Sequence, residues 1–405
     1  MKKTFKILNI ITIILSLISI VLNFTVLKKE DKKEEVKFDI TNYYSKYVRA
    51  KNIKIYKKEE SKFIEIGKTG ENLVLTLDGY EDKYFKIKDN DYYVYYEDVS
   101  KVKFYKENIN DYYKNYIPFN ENVVLDKAKL YNDNGLVYEI NETLSLPIII
   151  KEIDKYYVTY KDKLYYVNKS DVKETVYNLN TNEEKATKVA VLNYHFFYDK
   201  SKGEVCNEVI CLEKTKFVEQ LDYLKNNNYF TLKLSDLEMF IDGKINIPKN
   251  SVVITIDDGA MGVASIAKTL LEEYEFNGTL FLISAWFNKD DFISDYLQMH
   301  SHGHDLHNQG VCKEGAQGGA IQCLPRNVLL EDLNYSKNLL NGTTYFAYPF
   351  YEYNNYSISV LKEAGFTMAF VGGNQKAQVG TYKYTVPRYV MWYNDTIEDF
   401  INYLK

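Results

Sequence analysis

The stretch Ser251-Val-Val-Ile-Thr-Ile-Asp-Asp-Gly259 is an unbroken apolar run that ends in two carboxylates and a glycine. A strand buried on both faces has this texture, and Gly259 supplies a turn at its end. Directly after it, Val263, Ile266, Ala267, Leu270 and Tyr274 recur at helical spacing. The same alternation appears on either side. Val189-Ala-Val-Leu192 is followed by Phe217, Leu221 and Leu224, and Thr279 to Ile283 is a second apolar run. Tyr345-Phe-Ala347 leads to Ile358, Leu361 and Ala364, then Met368-Ala-Phe-Val371. Repeated βα units predict an α/β domain with a parallel sheet, open or closed into a barrel, whose chemistry gathers at the C-terminal ends of its strands. An Asp395-x-x-Glu398 capping signal, with Ile397, Phe400, Ile401 and Leu404 on one side, predicts a closing helix.

With 405 residues the chain is long enough for two or three domains, and 46% hydrophobic with 26% charged residues is an ordinary globular balance. Lys and Arg number 51 against 56 Asp and Glu, with no long basic run, so the electrostatic footprint of a nucleic-acid binder is absent. The N-terminus differs from the rest. Met1-Lys-Lys-Thr-Phe-Lys6 precedes an uncharged, nearly wholly apolar stretch from Ile7 to Leu27, long enough at 1.5 Å per residue to cross a hydrocarbon core. No A-x-A-like cleavage site precedes Lys28, so residues 1–27 are expected to be an uncleaved transmembrane anchor, with the bulk of the chain outside the cell. Cys206 with Cys211 and Cys312 with Cys323 fall as local pairs, and two short-range disulfides suit that compartment.

Residues 28–46 begin with a mixed-charge linker, Lys28-Lys-Glu-Asp-Lys-Lys-Glu-Glu35. From about Tyr47 to Val176 short alternating runs rich in Tyr, Ile and Val, separated by turn pairs such as Asp78-Gly79 and Asn134-Gly135, read as strands. Lys54-Ile-Tyr56 leading to Tyr96-Glu-Asp-Val99 resembles Lys129-Leu-Tyr131 leading to Lys169-Ser-Asp-Val172. This internal repeat looks like two SH3-like modules, at 47–115 and 116–180. Their tyrosines either bind cell-wall glycan or fill cores and strand faces.

Two features carry chemistry. Asp257 and Asp258 stand at a strand's end, where one carboxylate can hold a metal while the other stays free. Met299 to Asn308 contains four of the five histidines, and imidazole is the commonest metal ligand near neutral pH. Two histidines and one aspartate would leave zinc a coordination position open.

From Val189 to Lys405 these motifs, in this order, resemble the polysaccharide deacetylase family, the NodB-homology carbohydrate esterases. The resemblance rests on Leu192-Asn-Tyr-His195, Ile254-Thr-Ile-Asp-Asp-Gly259, Ser301-His-Gly-His-Asp-Leu-His307, Phe346-Ala-Tyr-Pro-Phe350, Leu361-Lys-Glu-Ala-Gly-Phe366 and Val386-Pro-Arg388. It implies a distorted (β/α) barrel over 186–405, with Asp257 as general base and Asp258, His302 and His307 holding a divalent metal, most simply Zn2+. It also implies N-deacetylation of an extracellular N-acetylglucosamine polymer, either exopolysaccharide or peptidoglycan glycan. The histidine spacing resembles that of poly-N-acetylglucosamine deacetylases, although His300 and His304 form a rival ligand pair.

Two departures stand out. Ala347 occupies the position where many members carry the arginine that steadies the base, and Arg388, one of only three arginines, is the candidate to replace it. No histidine follows His307, which leaves His195 to act as the acid that protonates the leaving amine. The resemblance also assigns the Phe350 backbone N–H to an oxyanion site. Trp286 and Trp392 would either stack on sugar or fill the core. The expected partners are the polysaccharide, the membrane through the N-terminal helix and the cell wall through the SH3-like modules. The rival readings are a non-catalytic wall-binding protein and an esterase acting on O-acetyl groups.

Overall fold

The computed structural model describes residues 12–18, 38–71, 73–102, 113, 115–177 and 184–405. Residues 12–18 are helical; the rest of the expected 1–27 anchor lies outside the described residues. Among the described residues no helix is long and apolar enough to cross a membrane. The chain divides into two compact units, Met1–Tyr105 and Lys106–Lys405.

The first unit carries strands Tyr47–Ala50, Lys54–Glu59, Lys62–Thr69, Leu73–Glu81, Tyr84–Ile87, Tyr92–Tyr95 and Ser100–Lys101, with a 3-10 turn Tyr96–Asp98 before the last. The second unit opens with the same sequence of elements, from Glu121–Leu125 to Glu174–Tyr177, with its 3-10 turn at Lys169–Asp171. The pairing is also the same. In each set the first strand pairs with the fourth and seventh, the second with the third and sixth, and the fifth with the fourth and sixth, all antiparallel. The weak sequence repeat is therefore a structural repeat. Its tyrosines range from buried Tyr92 and Tyr138 to exposed Tyr80, and several meet one another, as half-buried Tyr131 does with Tyr166 across a strand pair at 5.3 Å.

The rest of the second unit is built on a mainly parallel sheet, whose strands are labelled here β1 (Lys188–Tyr194), β2 (Phe230–Thr231), β3 (Ser251–Asp258), β4 (Gly278–Leu282), β5 (Leu297–Ser301), β6 (Tyr345–Ala347), β7 (Met368–Phe370), β8 (Ala377–Gln378) and β9 (Tyr389–Val390). The order is β7-β6-β5-β4-β3-β1-β8, with β2 beside β3 and β9 parallel to β1; only β8 is antiparallel. Val386 makes a parallel bridge to Phe370 on β7, while Tyr389 and Val390 pair with Leu192 and Asn193 on β1. The segment 386–390 thus links edge strand β7 to β1 across the curled sheet. This is the expected distorted barrel, and Arg388 sits at its seam.

Strand periodicity explains the unbroken apolar run. Val252, Ile254 and Ile256 of β3 pack outward with Leu192 of β1 and with Leu221, Leu271 and Phe400 from the helical layer. Val253 joins Val191, Phe281, Ala347 and Phe370 in an inner cluster. Helices α1 (Lys214–Asn226), α2 (Leu234–Ile241), α3 (Lys268–Tyr274), α4 (Arg326–Leu339), α5 (Asn355–Glu363) and α6 (Ile397–Leu404) complete the βα pattern. Helix α6 starts one residue later than the Asp395 signal suggested. Thr396 caps it reciprocally with Asp399, and the Asp395 carboxylate accepts from the Trp392 N–H.

The second β module is docked on the barrel. Tyr116, Ile149 and Ile150 belong to the inner cluster with Leu237 and Ile245, Tyr116 donates to Asp236 at 2.5 Å, and Ile150 bridges Ile245. Both local disulfides are present, Cys206–Cys211 and Cys312–Cys323.

Phe281 is fully buried, with its ring 5.2 Å from Phe370 and the Arg388 guanidinium 5.6 Å from its centroid. Phe281→Ala should therefore cost about 3–5 kcal/mol, read as a fall in the urea midpoint. A change below about 0.5 kcal/mol would mean that the barrel interior is not close-packed at this layer.

Candidate active site

Asp257 lies on the inner face of β3, where strand parity puts it in line with Val253 and Thr255. There it meets Arg388, which is wholly buried. The guanidinium donates Nη1 to Asp257 Oδ1 and Nη2 to Oδ2, both at 2.7 Å; Nη1 also donates to Thr255 Oγ1 and Nε to the Val371 carbonyl, each at 3.2 Å. The structure thus brings the lone candidate arginine to Asp257 as a planar fork from the seam, which a lysine could not reproduce. Burial alone would raise the pKa of Asp257. The charge of Arg388, then that of His302 and the paired hydrogen bonds, outweigh burial and hold the group below its ordinary value.

Parity would turn Asp258 to the opposite face. Its left-handed backbone, φ 72°, re-aims it, and Gly259 follows at φ 96°. Asp258 Oδ1 then stands 3.4 Å from both His302 Nε2 and His307 Nε2. Four residues separate the two histidines, and Gly303, at φ 86°, starts the reversal that brings them together. The loop is held by Asp332 on α4, whose carboxylate accepts from the backbone N–H groups of His304 and Asp305 at 2.7 Å each. His302 Nδ1 lies 2.8 Å from the Ala347 carbonyl, which fixes the ring and leaves Nε2 facing Asp258.

These three residues suit a metal ion. Their ligand atoms all lie within 4.8 Å of one another. Asp258 Oδ1 is buried without a hydrogen-bond partner among the described residues, a cost that a bound cation would remove. Ligands held about 2.0–2.1 Å from a tetrahedral ion stand roughly 3.3 Å apart, close to the spacing found here. Asp258 is pulled down to about 2, because His302 and the charges of His195 and His307 outweigh its burial. Burial is the main reason that His307 is lowered to about 4. His302 moves the other way: burial opposes its proton, but the hydrogen bond to Asp258 and the charges of Asp257 and Asp258 outweigh burial and raise it.

The rival pair lies elsewhere. His300 Nδ1 is 2.6 Å from Thr343 Oγ1 with its ring beside Tyr345, and His304 Nδ1 is 3.1 Å from Ser284 Oγ with its ring on Tyr335. His195 is buried beside Asp257, with Nε2 3.9 Å from Asp257 Oδ2 and 3.2 Å from the Tyr351 hydroxyl. Phe350 has φ 58° and its ring lies 4.2 Å from His307. Neither tryptophan is a core residue. Trp286 is 51% exposed with its ring 5.6 Å from His307, and Trp392 is 37% exposed.

Three neighbours were not singled out from the sequence: Asn193, Tyr351 and Asp332. Asn193 had a signal, since it lies two residues before His195 and shares its strand face. Tyr351 and Asp332 had none, because their places depend on a backbone turn and on helix packing.

The chain is similar to several known proteins. Residues 244–369 match the family model described as Polysaccharide deacetylase. The chain carries a polysaccharide deacetylase domain. It is 24% identical over 243 residues to the poly-beta-1,6-N-acetyl-D-glucosamine N-deacetylase of Staphylococcus aureus strain MSSA476, a match that covers 55% of this chain and 81% of that protein. Among solved structures it is similar to IcaB from Ammonifex degensii, at 20% identity and TM-score 0.46, over 55% of this chain and 99% of that one. It is also similar to a de-N-acetylase from Aggregatibacter actinomycetemcomitans, at 17% identity and TM-score 0.46, over 53% and 99% respectively.

The buried Arg388–Asp257 pair gives a direct test. Arg388→Ala leaves a buried carboxylate unpaired and should cost about 3–5 kcal/mol at pH 7. Because the folded pKa of Asp257 is depressed, its stabilisation is complete above the unfolded value of about 3.9 and is lost as pH falls through the folded value. The gap in urea midpoint between wild type and variant should therefore narrow below about pH 4. A gap equal at both pH values would assign the role of Arg388 to packing.

Proposed function

We propose that the protein is a metal-dependent hydrolase that removes N-acetyl groups from an extracellular N-acetylglucosamine polymer, releasing acetate and leaving free amines. The observation that carries this reading is the pairing of two differently held carboxylates on successive residues. Asp258 faces two imidazole nitrogens at 3.4 Å, and Asp257 is gripped by a buried arginine. The named activity of the Staphylococcus aureus relative supports the substrate class.

Asp258, His302 and His307 would hold the ion, and one carboxylate with two imidazoles suits zinc. When bound, it supplies Lewis acidity to polarise the acetamide carbonyl and to acidify water. Asp257, kept ionised by Arg388, accepts the proton of the attacking water. The backbone N–H of Phe350 donates to the oxygen on which negative charge develops. His195 then gives its proton to the leaving nitrogen, so that the C–N bond breaks with a neutral amine as product. Burial lowers the pKa of His195 against the pull of Asp257 and Asp258, so turnover should fall as pH rises and this acid is lost. Trp286, exposed beside His307, offers a ring to the sugar bound next to the reacting acetamide.

The apolar stretch Ile7–Leu27 and the two disulfides support a single-pass anchor with the deacetylase domain outside the cell. The repeated β modules, in our reading SH3-like, would lend affinity for the wall or its glycan, and the enzyme would act on exopolysaccharide or peptidoglycan accordingly.

Acetate release by the full chain on N-acetylglucosamine oligomers and on purified peptidoglycan tests the proposal and selects the polymer. Asp258→Ala should abolish both metal uptake and release. Asp257→Asn should keep the metal and lose about 10²–10⁴-fold in kcat. Equal metal content in the two variants would refute the ligand assignment. Full activity of His195→Ala would point instead to an O-acetyl ester, whose alcohol leaving group needs no strong acid.

A further inference from the structure

Tyr351 follows Phe350, and both adopt left-handed backbone conformations, φ 58° and 61°. Two successive non-glycine residues in this region are costly and persist where the surroundings impose them, characteristically at functional sites. The turn places the two rings on opposite sides of the reaction centre. Phe350 rests on His307, while Tyr351 turns inward, with the Arg388 guanidinium 5.7 Å from its ring centroid and the His195 ring edge-on at 6.2 Å.

The Tyr351 hydroxyl lies 3.0 Å from Asn193 Nδ2 and 3.2 Å from His195 Nε2. Asn193 Nδ2 also donates to Asp257 Oδ2 at 3.2 Å. The reverse amide orientation would set its carbonyl oxygen against the carboxylate, so the nitrogen faces both partners. Both amide hydrogens are then used, and the phenol oxygen accepts one of them. Its own proton is therefore directed at His195 Nε2, which must be the unprotonated nitrogen of the neutral ring. Nδ1 is left carrying the proton, and it is buried without a hydrogen-bond partner among the described residues. Burial pushes the Tyr351 phenol well above its ordinary value, so the hydroxyl remains a neutral donor.

We infer that Tyr351 is a positioning residue that clamps His195 by Nε2 and so fixes the ring tautomer that carries its proton on Nδ1. The clamp also holds Nε2 at 3.9 Å from Asp257 Oδ2, too far for a direct hydrogen bond, and so keeps acid and base from neutralising each other. A hydroxyl can accept as well as donate, so the clamp survives when His195 takes up a second proton. The charged groups around His195 are Asp257, Asp258, Arg388 and His302, and none of them occupies Nε2 in place of the phenol. This assignment rests on the acid role proposed above for His195, but its structural half can be measured without turnover.

The test uses the full chain with 15N-labelled histidine, of which there are only five to assign. Near pH 8 the wild-type His195 ring should show protonated Nδ1 and unprotonated Nε2. Tyr351→Phe should lose that preference, keep its metal content, and lower kcat about tenfold or more with KM changed less than about twofold. Asn193→Leu, which removes the two amide donors, should loosen the same tautomer and guards against a folding defect in the first variant. An unchanged tautomer in both variants overturns the clamp, and a released tautomer with full kcat overturns its role in proton delivery. If wild type releases no acetate, the proposed function fails, while the tautomer comparison still decides the clamp.

Discussion

The bidentate pair between Arg388 and Asp257 is the interaction on which the barrel and its site both depend. A guanidinium that is wholly buried must have its donors satisfied, because the cost of removing that charge from water exceeds any packing gain. Asp257, Thr255 and the Val371 carbonyl meet this demand from β3 and from the end of β7. Arg388 itself lies on the segment that bridges β7 to β1. One side chain therefore draws the seam of the sheet shut and fixes the ionisation and orientation of the carboxylate beside it. Stability and chemistry draw on the same contact.

The arrangement also separates two carboxylates that are neighbours in the chain. Strand parity alone would place Asp257 and Asp258 on opposite faces. The left-handed turn at Asp258 swings the second carboxylate toward the histidine loop, where Asp332 ties down the backbone between His302 and His307. One carboxylate faces an arginine and the other faces imidazoles, so their environments differ although their sequence context is shared. A parallel division holds at Pro349-Phe350-Tyr351, where successive side chains serve opposite sides of the centre.

The β modules show a different economy. Their two sequences share little beyond strand texture and a few turn residues, but the order and pairing of their strands coincide throughout. The second is joined to the barrel by a common apolar cluster and by the bond from Tyr116 to Asp236. A boundary drawn from texture change marks where the pattern switches from period 2 to βα units. It does not mark where the packed core ends, because apolar contact is blind to that switch.

The sequence by itself determined the α/β alternation, the repeat and the motif order, because these depend on periodicity and spacing within short stretches; which cysteines pair was decided by the fold. It also named Asp257, Asp258 and a histidine-rich loop. Tertiary structure alone decided which histidines of that loop meet Asp258, since this follows from the reversal at Gly303 and the clamp from α4 rather than from spacing. It decided that Arg388, distant in sequence, reaches Asp257, because that requires the sheet to curl until one segment links β7 to β1. It likewise brought Asn193 and Tyr351 to either side of His195. A hydrogen-bonded chain across residues more than 150 positions apart leaves no periodic trace in one sequence.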